Sequence, residues 1–99
     1  MNTMITKSQN TSKKYLTFLS GPVGDKDVSC LPGIGRVGAA HLKKAEIEKA
    51  SVVLGRYMDL EMNEVNFKDW LRHTAVTNER NTNLCFLACQ EYAQRYNLD

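Results

Sequence analysis

The sequence lacks most of the features that mark an enzyme, a secreted protein or a membrane protein. No apolar run is long enough to span a bilayer, and no glycine-rich loop ending in Gly-Lys-Ser or Gly-Lys-Thr is present to hold a nucleotide phosphate. The N-terminal stretch has no apolar core of the length found in a secretory signal. We therefore expect a protein of the cytosol or nucleus that has no catalytic residues and needs no cofactor.

Cysteine is scarce, and its odd number argues against a disulfide framework. Cys30, Cys85 and Cys89 are the three cysteines, so we expect a reduced protein. Cys85 and Cys89 are one helical turn apart, and His41 and His73 are the histidines that a metal site would have to recruit. Structural zinc usually shows tighter paired spacings in loops, whereas a cysteine in an apolar helical stripe is usually a small core residue. We therefore predict two core cysteines and no metal site.

Net charge is also small, at +2, but it is unevenly distributed. Residues 1–50 contain eight Lys or Arg against four Asp or Glu, whereas residues 51–99 contain five against seven. A ligand that carries phosphate groups is therefore expected at the N-terminal half. The length suits one domain. We assign residues 1–10, which are polar and without periodicity, to a disordered tail and residues 11–99 to a single domain.

Helical periodicity is abundant, and no alternating pattern of a β-strand appears. The first helix is expected to begin with Ser12 as its N-cap and to bury Leu16 together with Phe18. Val65 and Phe67 are expected to face inward from a later helix. The later helical segments are predicted at residues 28–31, 36–44, 47–60, 64–74 and 79–96. The sequence therefore predicts a compact all-α domain.

The glycines of residues 31–42 predict a helix-hairpin-helix motif at about residues 28–44. Gly33 and Gly35 flank Ile34, so the backbone on either side can take positive φ and approach a partner without a Cβ in the way, while Ile34 turns back into the hairpin. Amide groups at the start of the helix that begins near Arg36, together with the dipole of that helix, then form a site for a phosphate. An ordinary tight turn without a ligand is the competing interpretation.

The helix predicted over residues 47–60 has more apolar surface than one face of a small monomer needs. Gly55 lies in its middle, where glycine costs about 1 kcal/mol relative to alanine. We interpret it as a point where a second backbone packs closely, and a tolerated poor helix residue is the alternative. The sequence therefore predicts a homodimer whose interface includes Val53, Leu54, Gly55 and Met58.

Between about Ser12 and Tyr96 the chain contains several longer stretches whose order and spacing match those of a known family. They are GPVGDKDV at 21–28, Leu31 with GIG at 33–35, KASVVLGRY at 49–57, NFKDWL at 66–71, and CF at 85–86 ahead of EY at 91–92. In these stretches the chain resembles the barrier-to-autointegration factor family. The resemblance implies an all-helical domain that forms a two-fold homodimer, in which each subunit holds double-stranded DNA through its hairpin without regard to sequence. It also implies a location in the nucleus, on chromatin and at the nuclear envelope, and in the cytoplasm.

The resemblance places a DNA-contacting surface on three segments of the chain. Its residues here are Ser12, Lys13, Lys14, Gly33, Ile34, Gly35, Val37, Asn78 and Arg80. Ala40 and His41 replace lysines of the family and Asn83 replaces a basic residue, while Arg36 adds a charge at a position that is usually acidic. These departures leave open a paralogue that dimerises and binds protein partners but has weak or no DNA binding. A third hypothesis is a hairpin domain of a DNA-repair enzyme. We expect this chain to leave no room for the catalytic domain of such an enzyme, which counts against the hypothesis.

The resemblance also implies a groove on the dimer that receives LEM-domain proteins of the inner nuclear membrane, with lamin as a further partner. Ser51 and Asn66 replace a usual aromatic residue and a usual leucine there. Binding of LEM-domain proteins is therefore a weaker expectation than dimerisation.

Regulation is expected at Ser12, with Thr11 as the second candidate. A phosphate on either residue would add roughly −1.5 to −2 charges beside two lysines of the DNA surface. The serine in this register is also the phosphorylation site that the resemblance implies. The alternative is that Ser12 is only the N-cap of the first helix.

Overall fold

Five α-helices and one short 3-10 turn make up residues 13–98, the part of the chain described by a computed structural model. The helices are α1 (residues 13–19), α2 (Arg36–Lys44), α3 (Ala50–Asp59), α4 (Glu64–Ala75) and α5 (Glu79–Arg95), and the 3-10 turn is Val28–Cys30. The predicted all-α class is confirmed. None of the described helices is long and apolar enough to cross a membrane. The disordered tail predicted over residues 1–10 and the N-cap predicted at Ser12 lie outside the described residues.

Asparagine side chains cap the N-termini of the last two helices. The first amide groups of a helix have no partner within the helix itself, and an asparagine side chain at the N-cap supplies one. Asn63 Oδ1 accepts a hydrogen bond of 2.9 Å from the Asn66 amide at the start of α4. Asn78 Oδ1 accepts one of 2.8 Å from the Asn81 amide at the start of α5. Local sequence therefore defines where both helices begin.

The predicted start of α3 is wrong by three residues. Periodicity placed it at Ile47, but the helix begins at Ala50. The carbonyl of Glu48 accepts a hydrogen bond of 2.9 Å from the Val28 amide, and Lys49 forms an isolated antiparallel bridge with Asp27. These contacts hold the segment in an extended conformation against the 3-10 turn, so it cannot enter the helix.

Aromatic side chains from four helices form the centre of the core. The Phe18 ring of α1 packs 5.2 Å from Tyr92 of α5 between ring centroids. Tyr57 of α3 contacts Phe67 of α4 edge-on at 5.4 Å and Phe86 of α5 at 6.0 Å. All five side chains are buried. Their contacts join α1 and α3 to α5, and α4 to α3, and fix the positions from which the surface residues of these helices project.

Two predicted core residues are instead exposed. Leu16 is 61% exposed and Val65 is 73% exposed. Each lies two positions before a buried phenylalanine, Phe18 or Phe67. Because successive helical residues are about 100° apart, a residue two positions away projects from nearly the opposite face.

The predicted burial of two cysteines is confirmed. Cys85 and Cys89 are both fully buried in α5. The side-chain hydrogen bond with Cys85, followed by burial, raises the pKa of the Cys89 thiol. Both cysteines therefore behave as small core residues.

Two tyrosines attach α1 to α5. The Tyr15 hydroxyl donates a hydrogen bond of 2.9 Å to Glu91 Oε1, and the Tyr96 hydroxyl donates one of 3.1 Å to the carbonyl of Leu19. Burial and the bond to Glu91 raise the pKa of Tyr15, so its phenol stays protonated as the donor. This attachment determines where α1 presents Lys13 and Lys14.

Candidate functional site

The hairpin runs from the 3-10 turn through residues 31–35 into α2. The Ile34 amide donates a hydrogen bond of 3.0 Å to the Leu31 carbonyl, and the Ile34 side chain is fully buried, as the sequence predicted. Gly33 takes a φ of +85°, which confirms one of the two predicted positive φ angles. A Cβ at Gly33 would collide with the backbone carbonyl of Asn81 in α5. Glycine is therefore required there both by the turn and by the close approach of α5.

Gly35 has a different role from the one predicted. Its φ is −95°, so the prediction of positive φ at this residue is wrong. It is the N-cap of α2, it makes no side-chain capping bond, and a Cβ built on it meets nothing within 4 Å. The first amides of α2 therefore open onto unobstructed surface, where unpaired amide groups and the helix dipole favour an anion.

Residues at the start of α5 face this opening. Gly33, Gly35, Val37 and Asn78 line one surface depression between the hairpin and α5. Val37 is 66% exposed. The structure thus brings together four of the residues predicted to contact DNA. Asn78 lies 41 or more positions after the three hairpin residues in the sequence. Arg80 is exposed in the first turn of α5 but is not among the described residues that line this depression.

The two predicted lysines of α1 differ in their surroundings. Lys13 is exposed, whereas Lys14 is half-buried. Lys14 Nζ donates a hydrogen bond of 2.7 Å to the Ile34 carbonyl. Partial burial lowers the pKa of Lys14. The structure therefore places Lys14 against the hairpin itself.

A polar cluster beside the hairpin was missed by the sequence reasoning. Asp27 accepts hydrogen bonds from the Ser29 amide at 3.0 Å and the Ser29 hydroxyl at 2.6 Å, and it forms an ion pair of 2.9 Å with Lys43 of α2. The bonds from Ser29, followed by the contact with Lys43, hold the pKa of Asp27 well below its usual range. The spacing Asp-Val-Ser is a local signal for such a cap, but the partnership with Lys43 needs the folded chain.

The four predicted interface residues do not share one surface. Val53 and Leu54 are buried within the chain's own core. Gly55 is exposed, with nothing within 4 Å of a Cβ built on it, and Met58 is half-buried. Val52, which the sequence reasoning missed, is 47% exposed. Of these five residues, only Gly55, Val52 and part of Met58 are accessible on the described chain.

Ser51 of α3 and Asn66 of α4 are the two positions at which the sequence analysis expected a groove for LEM-domain proteins. Ser51 is half-buried and Asn66 is exposed. On the same two helices, the Arg56 guanidinium lies over the Trp70 ring at 5.5 Å from its centroid. Both positions are thus occupied by polar side chains that solvent reaches at least in part.

Asn83 contacts a cation of the neighbouring helix. Its Oδ1 accepts a hydrogen bond of 2.8 Å from Lys68 Nζ, and Lys68 also pairs with Glu64 and lies over the Phe86 ring. The side chain of Asn83, where the sequence analysis expected a basic residue in the family, therefore holds a lysine of α4.

Within residues 13–98, no group of three or more His, Cys, Asp and Glu side chains is arranged to hold a metal ion. Thr11 and Ser12, the predicted phosphorylation sites, lie outside the described residues.

Comparison with known proteins gives a consistent result across nearly the whole chain. A family model described as "Barrier to autointegration factor" matches residues 9–96. The chain is 35% identical over 86 residues to barrier-to-autointegration factor of Homo sapiens, covering 87% of this chain and 97% of that protein. It is 33% identical over 87 residues to barrier-to-autointegration factor B of Xenopus laevis, covering 88% and 97%. It is 34% identical over 87 residues to barrier-to-autointegration factor 1 of Caenorhabditis elegans, covering 88% and 98%.

Proposed function

Because the chain belongs to the barrier-to-autointegration factor family, we propose that it is a non-enzymatic chromatin protein that binds double-stranded DNA without regard to sequence. The observation that carries the proposal is the open start of α2 at Gly35, which faces the first turn of α5 across one depression. A duplex phosphate seated there would accept hydrogen bonds from backbone amides and interact favourably with the helix dipole.

Three hairpin residues that line the depression favour recognition of the DNA backbone over its bases. Val37 has no hydrogen-bonding side chain, and Gly33 and Gly35 have no side chain at all. Contacts of backbone amides with phosphate fix the position of a protein on DNA but do not read its sequence. Lys13 is exposed on α1, and the next residue, Lys14, contacts the hairpin, so Lys13 adds positive charge near the hairpin.

We extend the proposal to a two-fold homodimer formed through the exposed face around Gly55. A glycine on the surface of a helix, with open space above it, allows a second backbone to approach closely. Since each subunit would carry one hairpin, the dimer would bridge two duplexes. The family relationship supports LEM-domain proteins and lamin as partners, and nuclear chromatin and the nuclear envelope, with the cytoplasm, as the location.

A second candidate function is a protein-binding paralogue with weak DNA binding. Two cations near the hairpin are already engaged, Lys14 with the Ile34 carbonyl and Lys43 with Asp27, and Lys68 of α4 is engaged with Asn83. Fewer free cations mean fewer phosphates neutralised and lower affinity. A dimer that binds protein partners without DNA is therefore the alternative outcome of the binding experiment.

Replacement of Gly35 by Glu tests the DNA site. The Gly35→Glu side chain would place a carboxylate against the phosphate position without a steric clash in the folded chain. We expect anisotropy of a labelled duplex to show loss of binding, with the thermal midpoint nearly unchanged. Gly21→Glu is the matched control, since this glycine also has open space around it and lies beyond the opposite end of α1. Equal binding by both variants would refute the proposed site.

Phosphorylation of Ser12, with Thr11 second, is proposed as regulation of this surface. Ser12→Asp retains a capping oxygen and adds charge, so it separates the two roles. We expect unchanged thermal stability and an affinity for duplex lowered several-fold at low salt, where surface charges are least screened. Unchanged affinity under that condition would leave Ser12 as a cap alone.

A further inference from the structure

Arg36 is the first residue of α2 and lies between two surface depressions of the hairpin. One depression includes Val37 and Asn78 and is the proposed phosphate position. The other includes Lys14 of α1. Gly35 and Arg36 are the two described residues that line both of these depressions. Since Arg36 is exposed, its guanidinium can reach a ligand on either side of Gly35.

The charge of Arg36 is not offset by a carboxylate of the described chain. The ion pairs found within residues 13–98 do not include Arg36. Among the described residues that line the two depressions, Asp27 is the only acidic one. Asp27 is already bonded to Ser29 and paired with Lys43 at 2.9 Å. Within this part of the chain, the Arg36 guanidinium therefore has no anionic partner.

The position of Arg36 in α2 is unfavourable for the helix itself. The N-terminus of a helix is the positive end of its dipole, which favours anions and disfavours cations. The first turns of α4 and α5 follow this rule with Glu64 and Glu79, whereas the first turn of α2 contains no acidic residue. A cation there departs from what helix stability favours, and such departures are expected at functional sites. A bound anion would interact favourably with the dipole and with Arg36 together.

We propose that Arg36 is a direct phosphate contact of the DNA site, with its guanidinium beside the phosphate that the first amides of α2 hold. The inference rests on the proposed function, because it takes the anion at α2 to be a phosphate of duplex DNA. Arg36 is not among the residues that the resemblance placed on the DNA surface. A guanidinium can donate two parallel hydrogen bonds to one phosphate. Arg36 thus neutralises a phosphate that the backbone amides position, without reading a base.

The test compares Arg36→Gln with Lys44→Gln in the full-length protein. Both residues are exposed on α2, and neither forms an ion pair within residues 13–98, so each substitution removes one charge from the same helix. Lys44 is in the last turn, where a cation is favourable. It is about 12 Å from Arg36 along the helix axis at about 1.5 Å per residue, which exceeds the Debye length of about 10 Å at 0.1 M salt. Arg36→Lys, which keeps the charge, is the rescue variant.

Two quantities are measured, the affinity for one random-sequence duplex as a function of salt and the urea midpoint without DNA. Arg36→Gln is expected to lower affinity about tenfold near 0.1 M salt, with a slope of log affinity against log salt less steep by about 0.9. Its urea midpoint is expected not to fall. Lys44→Gln is expected to give the opposite pattern, with an unchanged salt slope and a lower urea midpoint. Arg36→Lys is expected to keep the salt slope of the unaltered protein.

An unchanged salt slope in Arg36→Gln, or an equal loss of slope in Lys44→Gln, would overturn the contact and make Arg36 one charge of a general basic surface. A urea midpoint that falls as far in Arg36→Gln as in Lys44→Gln would contradict the argument from the helix dipole. If the unaltered protein binds duplex and Arg36→Gln binds it equally, this inference fails and the proposed function stands. Absence of duplex binding by the unaltered protein would refute both.

Discussion

Replacement of Gly33 by Ala tests the geometry on which the hairpin depends. Gly33 has a φ of +85°, and a Cβ on it would overlap the Asn81 carbonyl at the start of α5. The left-handed region costs a non-glycine residue about 1–2 kcal/mol. Forcing the contact apart costs typically about 1–3 kcal/mol more. We therefore expect Gly33→Ala to lower the free energy of unfolding by about 2–5 kcal/mol, a large part of the roughly 5–15 kcal/mol available to a domain of this size.

Urea denaturation followed by circular dichroism measures this loss. For a slope of about 1.5 kcal/mol per M in urea, the midpoint should fall by about 1–3 M. Gly35→Ala is the matched control two residues away, because Gly35 has a negative φ and open space around it. Its cost should stay within about 1 kcal/mol, the usual range for an altered N-cap. Equal midpoints for the two variants would refute the assignment of the turn and the close approach to Gly33.

Three further predictions follow from other residues. Val76 ends α4 with a φ of +56° and is 60% exposed, so Val76→Asn should raise the free energy of unfolding by about 1 kcal/mol, and a lower urea midpoint would contradict this. The lowered pKa of Asp27 means that the unfolded chain takes up a proton before the folded chain does as pH falls. The stabilisation by the Asp27 carboxylate is therefore complete above the unfolded pKa of about 3.9 and is lost as pH falls toward the folded pKa. The difference in free energy of unfolding between the unaltered protein and Asp27→Asn should thus narrow from pH 6 to pH 2, and a constant difference would refute this role of Asp27. Gly55→Glu should convert a dimer into a monomer in sedimentation at tens of micromolar, whereas an unaltered protein that is already monomeric there would refute the interface.

Local signals in the sequence predicted much of the fold. The glycines of the hairpin and the apolar periods place α2, α4 and α5 within about one residue of their observed limits. Burial of Ile34 and of two cysteines was predicted for the same reason, because each depends on the pattern of its own segment.

Features that depend on contacts between distant segments were not predictable. The start of α3 is determined by the bond from Val28 to Glu48, which periodicity does not record. The engagement of Lys14 with Ile34 and of Lys43 with Asp27 joins different elements, so both lysines look like free charges in the sequence. Val53 was assigned to an interface because its apolar character does not distinguish a partner's surface from the chain's own core.

Backbone-only recognition of duplex DNA at the hairpin is the central claim. The direct measurement is the affinity of the unaltered protein for two duplexes of unrelated sequence, each titrated over a range of salt concentrations. We predict nearly equal affinities at every salt concentration, with log affinity falling linearly against log salt by about 0.9 for each phosphate neutralised. A preference for one sequence on the order of a thousandfold, which is typical of base readout, would contradict backbone-only recognition, and absence of binding at low salt would favour the protein-binding paralogue.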